Sequence, residues 1–307
     1  MRLPARGRAA GKVILLGEHA VVYGRPALAS GLGLGLEAEV RPGAGACRLE
    51  TDRPGLAADE RPSRLVAEAA AALGIDAEGL VVHVRSDLPV GVGLGSSAAL
   101  VVAVLRALAR AAERRLAPPE ELALGRRLEG IFHGHASGID PAAAALGSTC
   151  FRFVRGEPPA VRPLRPARTL PLVVAFGERP RSTGAAVSGL RARWETNRAR
   201  YEQLFDEVGA LVEEGARAVE AGELAALGRA FDRNQALLAA LGVSAPEVEA
   251  LAAAARSAGA LGAKLTGGGA GGAVVALALE PERVAAALRT GGTRTIVLRV
   301  GAAAEAA

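Results

Sequence analysis

The sequence predicts a two-domain α+β protein. Its 307 residues are long for one domain and comfortable for two. Strand-like and helix-like stretches follow one another irregularly, without the strict βαβ order of a doubly wound sheet. Residues 158-PPAVRPLRPAR-168 carry four prolines and mark the expected seam, which places the domains at 1–160 and 161–307.

The elements follow in chain order. Residues 12-KVILLG-17 read as a short buried strand, and the alternation 36-LEAEV-40 ends a second one. Residues 41–62 are rich in Pro, Gly and Asp and read as loop. Residues 63-SRLVAEAAAALG-74 read as a helix, with Ser63 as N-cap and Gly74 just past the end. Residues 80-LVVHVRSDLP-89 alternate as a strand, which makes His83 a strand residue. A glycine-rich loop then runs into the apolar helix of 91-GVGLGSSAALVVAVLRALAR-110. A further helix is predicted over 119–132, then a loop of small residues, 133-HGHASGIDPAAAALG-147. Residues 170-LPLVVAF-176 read as a strand, with helices around 185–221, 223–241 and 246–259. A helix is expected before the glycines of 264-KLTGGGAGGAVVALAL-279 and a strand after them, then a last helix and strand. The tail 302-AAAEAA-307 is expected to fray.

Composition narrows the functional classes. The net charge is +5, but the basic residues are scattered and only nine residues are aromatic, which disfavours nucleic-acid binding. Cys47 and Cys150 have neither disulfide-framework nor zinc spacing, as expected for a reducing compartment such as the cytoplasm. MRLPARGRAAGK has no apolar core behind its basic residues, so it is not read as a secretory signal. Leu88 to Leu105 is uncharged, but Pro89, three glycines and two serines in its first half argue for a buried helix instead of a membrane span. The chain holds 35 arginines and only two lysines, Lys12 and Lys264, each beside a glycine-rich segment. Two readings explain that placement: chance under a coding bias toward Arg, or a need at these positions for a compact ammonium that a planar guanidinium cannot replace.

Three glycine segments carry the chemistry. In the first, Gly91, Gly93 and Gly95 let the backbone approach a ligand, and Ser96 or Ser97 can cap the helix. A helix N-terminus with unpaired N–H groups is an anion site. The usual phosphate loop ends in Lys, and here none follows. In the second, Lys12 starts a strand and Glu18 and His19 follow Gly17 at its end. The third, 267-GGGAGG-272, is formally G-x-G-x-x-G, but that fingerprint should follow a strand and open a helix. Close approach of this backbone to a ligand or to the first glycine loop is the better explanation. Glu129 and Asp140 are either surface acids beside Arg126 and Arg127 or the carboxylates that phosphoryl transfer needs, one for magnesium and one for the attacking hydroxyl. His133 and His135 form H-x-H without a third nearby ligand, which disfavours zinc.

Taken in order, GKVILLGEHAVVYG, LPVGVGLGSSAA and KLTGGGAGG resemble the three signature motifs of the kinase superfamily that contains galactokinase, homoserine kinase, mevalonate kinase and phosphomevalonate kinase. GEHAVVYG is nearest the mevalonate kinases, since galactokinases usually have Asp where Val21 stands; HGHASGID and PRSTGAAV resemble further stretches of that branch. The likeness runs from Lys12 to about Leu279. It implies the two-domain GHMP kinase fold with the active site in the interdomain cleft, ATP and Mg2+ as cofactors, and phosphorylation of mevalonate in isoprenoid precursor biosynthesis. It implies that Asp140 is the base or orients the attacking hydroxyl, and that Lys12 stabilises the developing charge. Glu129 and a loop serine, Ser97 in preference to Ser96, would bind magnesium. Gly91, Gly93, Leu94, Gly95, Ser96, Ser97 and Ala98 would surround the phosphates. Glu18, His19, Thr183 and Arg181 would meet the substrate's polar end, with Gly267 and Gly268 completing the site. Ala136 stands where the family usually has Pro, which loses a backbone constraint but no chemical group. A sister kinase for phosphomevalonate or a sugar is the alternative. The expected partner is a small molecule, not nucleic acid or membrane; the oligomeric state is not legible, and a homodimer is left open.

Overall fold

The computed structural model describes residues 1–52, 60–89, 92–132, 137–176, 183–269 and 273–301. Gly91, His133, His135, Ala136, Arg181 and the alanine tail lie outside them. The chain forms two compact units, each discontinuous in sequence. Unit 1 comprises Met1–Lys12, Gly33–Val90 and Leu94–Gly147; unit 2 comprises Val13–Leu32, Gly91–Gly93 and Ser148–Ala307. The seam expected at 160/161 falls inside a strand of unit 2, because the proline-rich stretch includes an edge strand, β6 (Ala160–Pro163). Pro is tolerated at an edge, where no ladder N–H is needed.

Unit 1 packs helices on a sheet. β1 (Ala5–Leu16) starts earlier than expected: Arg6 and Arg8 point to solvent while Ala5, Gly7 and Ala9 alternate inward. A methyl group on Gly7 would lie 2.2 Å from the Ala103 carbonyl, so this strand lies directly on the helix that carries Ala103. β2 (Ala27–Pro42) pairs antiparallel with β4 (Leu80–Ser86) over 36–42, and β3 (Arg48–Thr51) pairs parallel with β4. α1 (Arg61–Leu73) has its N-cap at Glu60, not Ser63; Pro62 in the first turn sets the start, as Pro favours that position. Gly74, with φ 70°, ends the helix as expected.

α2 (Ser96–Ala111) is apolar on nearly every side and is buried accordingly. Its N-cap is Gly95, with φ 76° and no side-chain cap, in place of the serine expected. A left-handed cap position selects glycine over a hydroxyl. α3 (Pro118–Glu129) begins with Pro118, carries Glu120 and Glu121 in its first turn and Arg126 and Arg127 in its last, matching the helix dipole. The stretch expected as loop holds α4 (Ile139–Leu146), which starts after Gly138 at φ 89°. Its alanines are the strongest helix formers, and Pro141 falls in the first turn where no intrahelical donor is lost.

Unit 2 pairs β2 at 27–30 with β5 (Cys150–Val154), and β5 with β6. A separate antiparallel sheet runs β10 (Arg294–Val300), β7 (Leu170–Phe176), β9 (Ala273–Leu277), β8 (Gly262–Thr266). The expected helix 185–221 is two helices, α5 (Thr183–Thr196) and α6 (Arg198–Ala221). Asn197 breaks them because its side chain accepts the Arg200 N–H as an N-cap. α7 (Leu224–Ala240), α8 (Pro246–Ser257) and α9 (Pro281–Thr290) complete the unit. Its core joins Phe205, Val208 and Leu238 to Val173, Leu265 and Val274 of the sheet.

Candidate active site

In unit 1, β1 ends its share of the chain at Lys12, whose backbone N–H donates to the Leu94 carbonyl at 2.9 Å. That bond ties the strand to the first glycine loop. A methyl group on Gly95 would lie 2.6 Å from Lys12 Cγ and within 3.5 Å of its Cδ and Cε. Gly95 is therefore required twice, for its backbone conformation and for the lysine stem that crosses it. The ammonium, on a side chain only 5% exposed as a residue, stands 3.3 Å from Asp140 Oδ1. The cation missing from the loop itself is thus delivered over the loop from the strand.

The carboxylates are brought together by helix packing. A methyl group on Gly125 would stand 3.1 Å from Pro141 Cβ, so α3 and α4 pack closely where Asp140 precedes Pro141. Glu129 lies one turn beyond Gly125, on the same face of α3, and is buried at 3% exposure. Burial first, then the Asp140 charge, push Glu129 well above the usual carboxylate range; Lys12 opposes the rise. A buried carboxylate repelled by a second one is the environment that a divalent cation relieves, and Mg2+ takes one or two carboxylates plus phosphate oxygens. Glu129 and the hydroxyl of Ser97 in the first turn of α2 fit that donor set. Ala99 N–H makes the first helical bond, to the Gly95 carbonyl, so the N–H groups of Ser96, Ser97 and Ala98 precede the helix's own ladder. No acidic residue occupies this first turn, leaving the positive end of the dipole to an anion.

In unit 2, the third glycine motif follows β8, not the helix expected, and leads into β9. Strand–glycines–strand still fails the dinucleotide fingerprint, which needs a helix on the far side. The expected close approach to the first loop is present: a methyl group on Gly267 would lie 3.8 Å from Gly93 Cα. Gly268 is half-buried beside it.

Glu18 and His19 lie in the same unit, after β1. Glu18 is fully buried and its carboxylate is held from within: Lys264 Nζ donates to Oε1, and Asn234 Nδ2 donates to Oε2 at 3.1 Å. Each of its oxygens thus has a donor within unit 2. His19 differs. Its backbone has φ 62°, and its Nε2 is buried without a hydrogen-bond partner among the described residues. A methyl group on Gly269 would lie 3.5 Å from that nitrogen. Thr183 opens α5. Asn234 was missed in the sequence, although it sits three residues after Phe231 and four before Leu238, on the apolar stripe of α7 where a polar residue is a signal.

The His19 ring is held neutral. Burial, then the Lys264 and Arg193 charges, push its pKa from 6.5 down to about 4. Between those values the unfolded chain binds a proton that the folded chain refuses, so stability falls as pH drops through this window. The contribution is about 3 kcal/mol. His19→Asn is expected to remove that slope. Thermal melts of both proteins from about pH 7 to about pH 4 should show a wild-type advantage that shrinks by that amount; a difference constant with pH refutes the assignment.

Comparison with known proteins places these motifs. The model of the GHMP kinases N terminal domain matches residues 63–148, and the GHMP kinases C terminal model matches 216–293. Mevalonate kinase of Thermococcus sibiricus is 34% identical, covering 94% of each chain. Mevalonate kinase of Pyrococcus horikoshii is 35% identical, covering 94% of this chain and 93% of its own. Among solved structures, L. major mevalonate kinase in complex with R-mevalonate superimposes with a TM-score of 0.87 at 28% identity over 98% of both chains. Two domain models matched in order, and relatives this similar along nearly the full length, make the chain a member of the GHMP kinase family.

Proposed function

We propose that this enzyme transfers the γ-phosphoryl group of ATP to the 5-hydroxyl of mevalonate, giving 5-phosphomevalonate and ADP by direct in-line displacement. The observation that carries the chemistry is the Lys12–Asp140 pair at 3.3 Å, beside buried Glu129. The identity of the alcohol rests on the mevalonate kinases among its relatives.

Asp140 sits on the first turn of a helix, partly exposed, as a carboxylate that can orient the attacking hydroxyl and accept its proton. Lys12 pairs with that carboxylate and would offer its ammonium to the oxygen as negative charge develops. The stem is locked over Gly95, so the ammonium needs no reorganisation when the charge appears. The N-terminal N–H groups of α2, from Ser96 to Ala98, with the Gly93–Gly95 turn, would hold the phosphates. Glu129 and Ser97 would hold Mg2+, which supplies neutralising charge between the phosphate oxygens when bound. His19, with its unpartnered Nε2, and Thr183 would meet the polar end of the alcohol, with Gly267 and Gly268 beside the loop. Arg181 is a further candidate there. No described helix is long and apolar enough to cross a membrane.

Steady-state turnover with mevalonate, phosphomevalonate and galactose side by side tests the proposal. Mevalonate is expected to give the highest kcat/KM by at least about 10²-fold, since a site with buried polar groups rejects alcohols that leave them unpaired. A preference for either other alcohol overturns the substrate; ATP binding with no turnover on any of them overturns the activity.

A further inference from the structure

We propose that Glu18, Lys264 and Asn234 are positioning residues that fix the backbone bend at His19 and so aim its Nε2 at the polar end of the alcohol. The inference rests on the functional reading above for the ligand, but not for the geometry.

The bend is costly on its own. A non-glycine residue at φ 62°, ψ −50° lies outside the broad allowed regions, and such residues persist only where their surroundings over-determine them. On the C-terminal side the constraint is local: Ala20 N–H donates to the Glu18 carbonyl at 2.7 Å, and Val22 N–H to the His19 carbonyl at 3.0 Å. On the N-terminal side, Gly17 is wedged at φ 98° against Pro26 and Ala27. Between them the Glu18 side chain is the long-range anchor, gripped at both oxygens by residues of two different elements, β8 and α7. Those elements are themselves fixed to one another. Gly228 of α7 meets Gly262 of β8 backbone to backbone, where a methyl group on Gly262 would lie 1.9 Å from the Gly228 carbonyl. Gln235 Oε1 accepts the Leu265 N–H at 2.7 Å.

Stability alone is a weak reason for this arrangement. Taking a carboxylate and an ammonium fully out of water costs about as much as their attraction returns, and apolar replacements of such pairs are often neutral or better. Both charges here are 0% exposed. The cation is one of only two lysines in a chain with 35 arginines. Lysine has three donors; Glu18 and the Leu265 carbonyl take two of them, whereas a guanidinium would bring five into a fully buried site. The network also delivers something beside itself: the neighbouring imidazole is buried, neutral at physiological pH and, among the described residues, without a partner for Nε2. Asn234 Oδ1 of the network is also buried and unmatched among the described residues, and a ligand at the His19 ring is the explanation proposed for its open nitrogen.

The test uses the neutralised double variant Glu18→Gln/Lys264→Met, which strands no buried charge, and Asn234→Ala, which leaves the ion pair intact and loses only one anchor. The first readout needs no turnover: long-range 1H–15N spectra of the full chain, which has four histidines. In the wild type the His19 ring is expected in one fixed tautomer, and in either variant with averaged nitrogen shifts. Unchanged His19 shifts in a folded variant overturn the positioning role whatever the enzyme does. The second readout is the split of kinetic constants. The double variant is expected to raise KM for mevalonate at least about tenfold, and Asn234→Ala about threefold, with KM for ATP within about twofold. Adding His19→Asn to either should raise KM no further than His19→Asn alone, because the effects pass through one ring. Effects that multiply in full, or losses confined to kcat, overturn it. A wild type that turns over no mevalonate would sink the functional reading and leave the ring spectra to decide this one.

Discussion

Asp140→Asn is expected to lower kcat by at least about 10²-fold with little change in fold, since loss of a positioned base has that typical effect. Asparagine keeps the shape of the side chain and its place on the first turn of α4, but it cannot take a proton. The Asp140 side chain is 26% exposed, and the amide oxygen of Asn can still accept from the buried Lys12 ammonium beside it. A second consequence distinguishes this variant from general damage. Asp140 is the largest charge pushing Glu129 upward, after burial itself. Removing it lets Glu129 ionise at lower pH, so the acidic limb of Mg2+ binding should move down even as turnover collapses. Steady-state kinetics and a metal titration against pH check both halves. Near-normal turnover would sink the assignment of Asp140.

Lys12→Met is expected to cost at least about 10²-fold in kcat while nucleotide affinity stays within a few-fold, because the lost group acts on charge that appears only in the transition state. Methionine can lie over Gly95 much as the lysine stem does, so the loop keeps its packing. Lys12→Arg is not expected to rescue. The stem is pressed against the Gly95 backbone along its length, and a planar fork cannot reach the same point as a compact ammonium. Loss of Lys12 also removes the charge that holds Glu129 down, so metal affinity should weaken toward lower pH, opposite to the Asp140 variant. Nucleotide binding by calorimetry, with and without Mg2+, separates these effects. A variant that fails to fold would assign Lys12 a structural role instead.

The parts of the site that sequence reveals are those set by local backbone demand. Glycines flanking a helix start, a lysine beside them and two acids at helix ends are visible because each answers a requirement a few residues long. The α2 cap was misjudged because two answers compete there: a hydroxyl accepting an N–H, or a left-handed turn, and Gly95 takes the second. α4 was missed because its alanines gave no amphipathic period to read. The strand before the third glycine motif was missed because β8 is defined by pairing with β9, and its apolar run is too short to separate from a helix. The partners of Glu18 were not legible because they lie 246 and 216 residues further along the chain. No local pattern announces a pairing of that range.

The two compact units are interleaved along the chain. It passes between them at 12/13, 32/33, 90/91, 93/94 and 147/148. No single cut therefore separates the enzyme into two self-sufficient modules. A fragment ending at 147 would carry residues 27–30 without the β5 partners at 150–153, and a fragment beginning at 148 would lack the strand that carries Glu18 into its interior. The halves of such a protein cannot be exchanged between relatives by one recombination point, and its substrate preference has to change residue by residue within an intact chain.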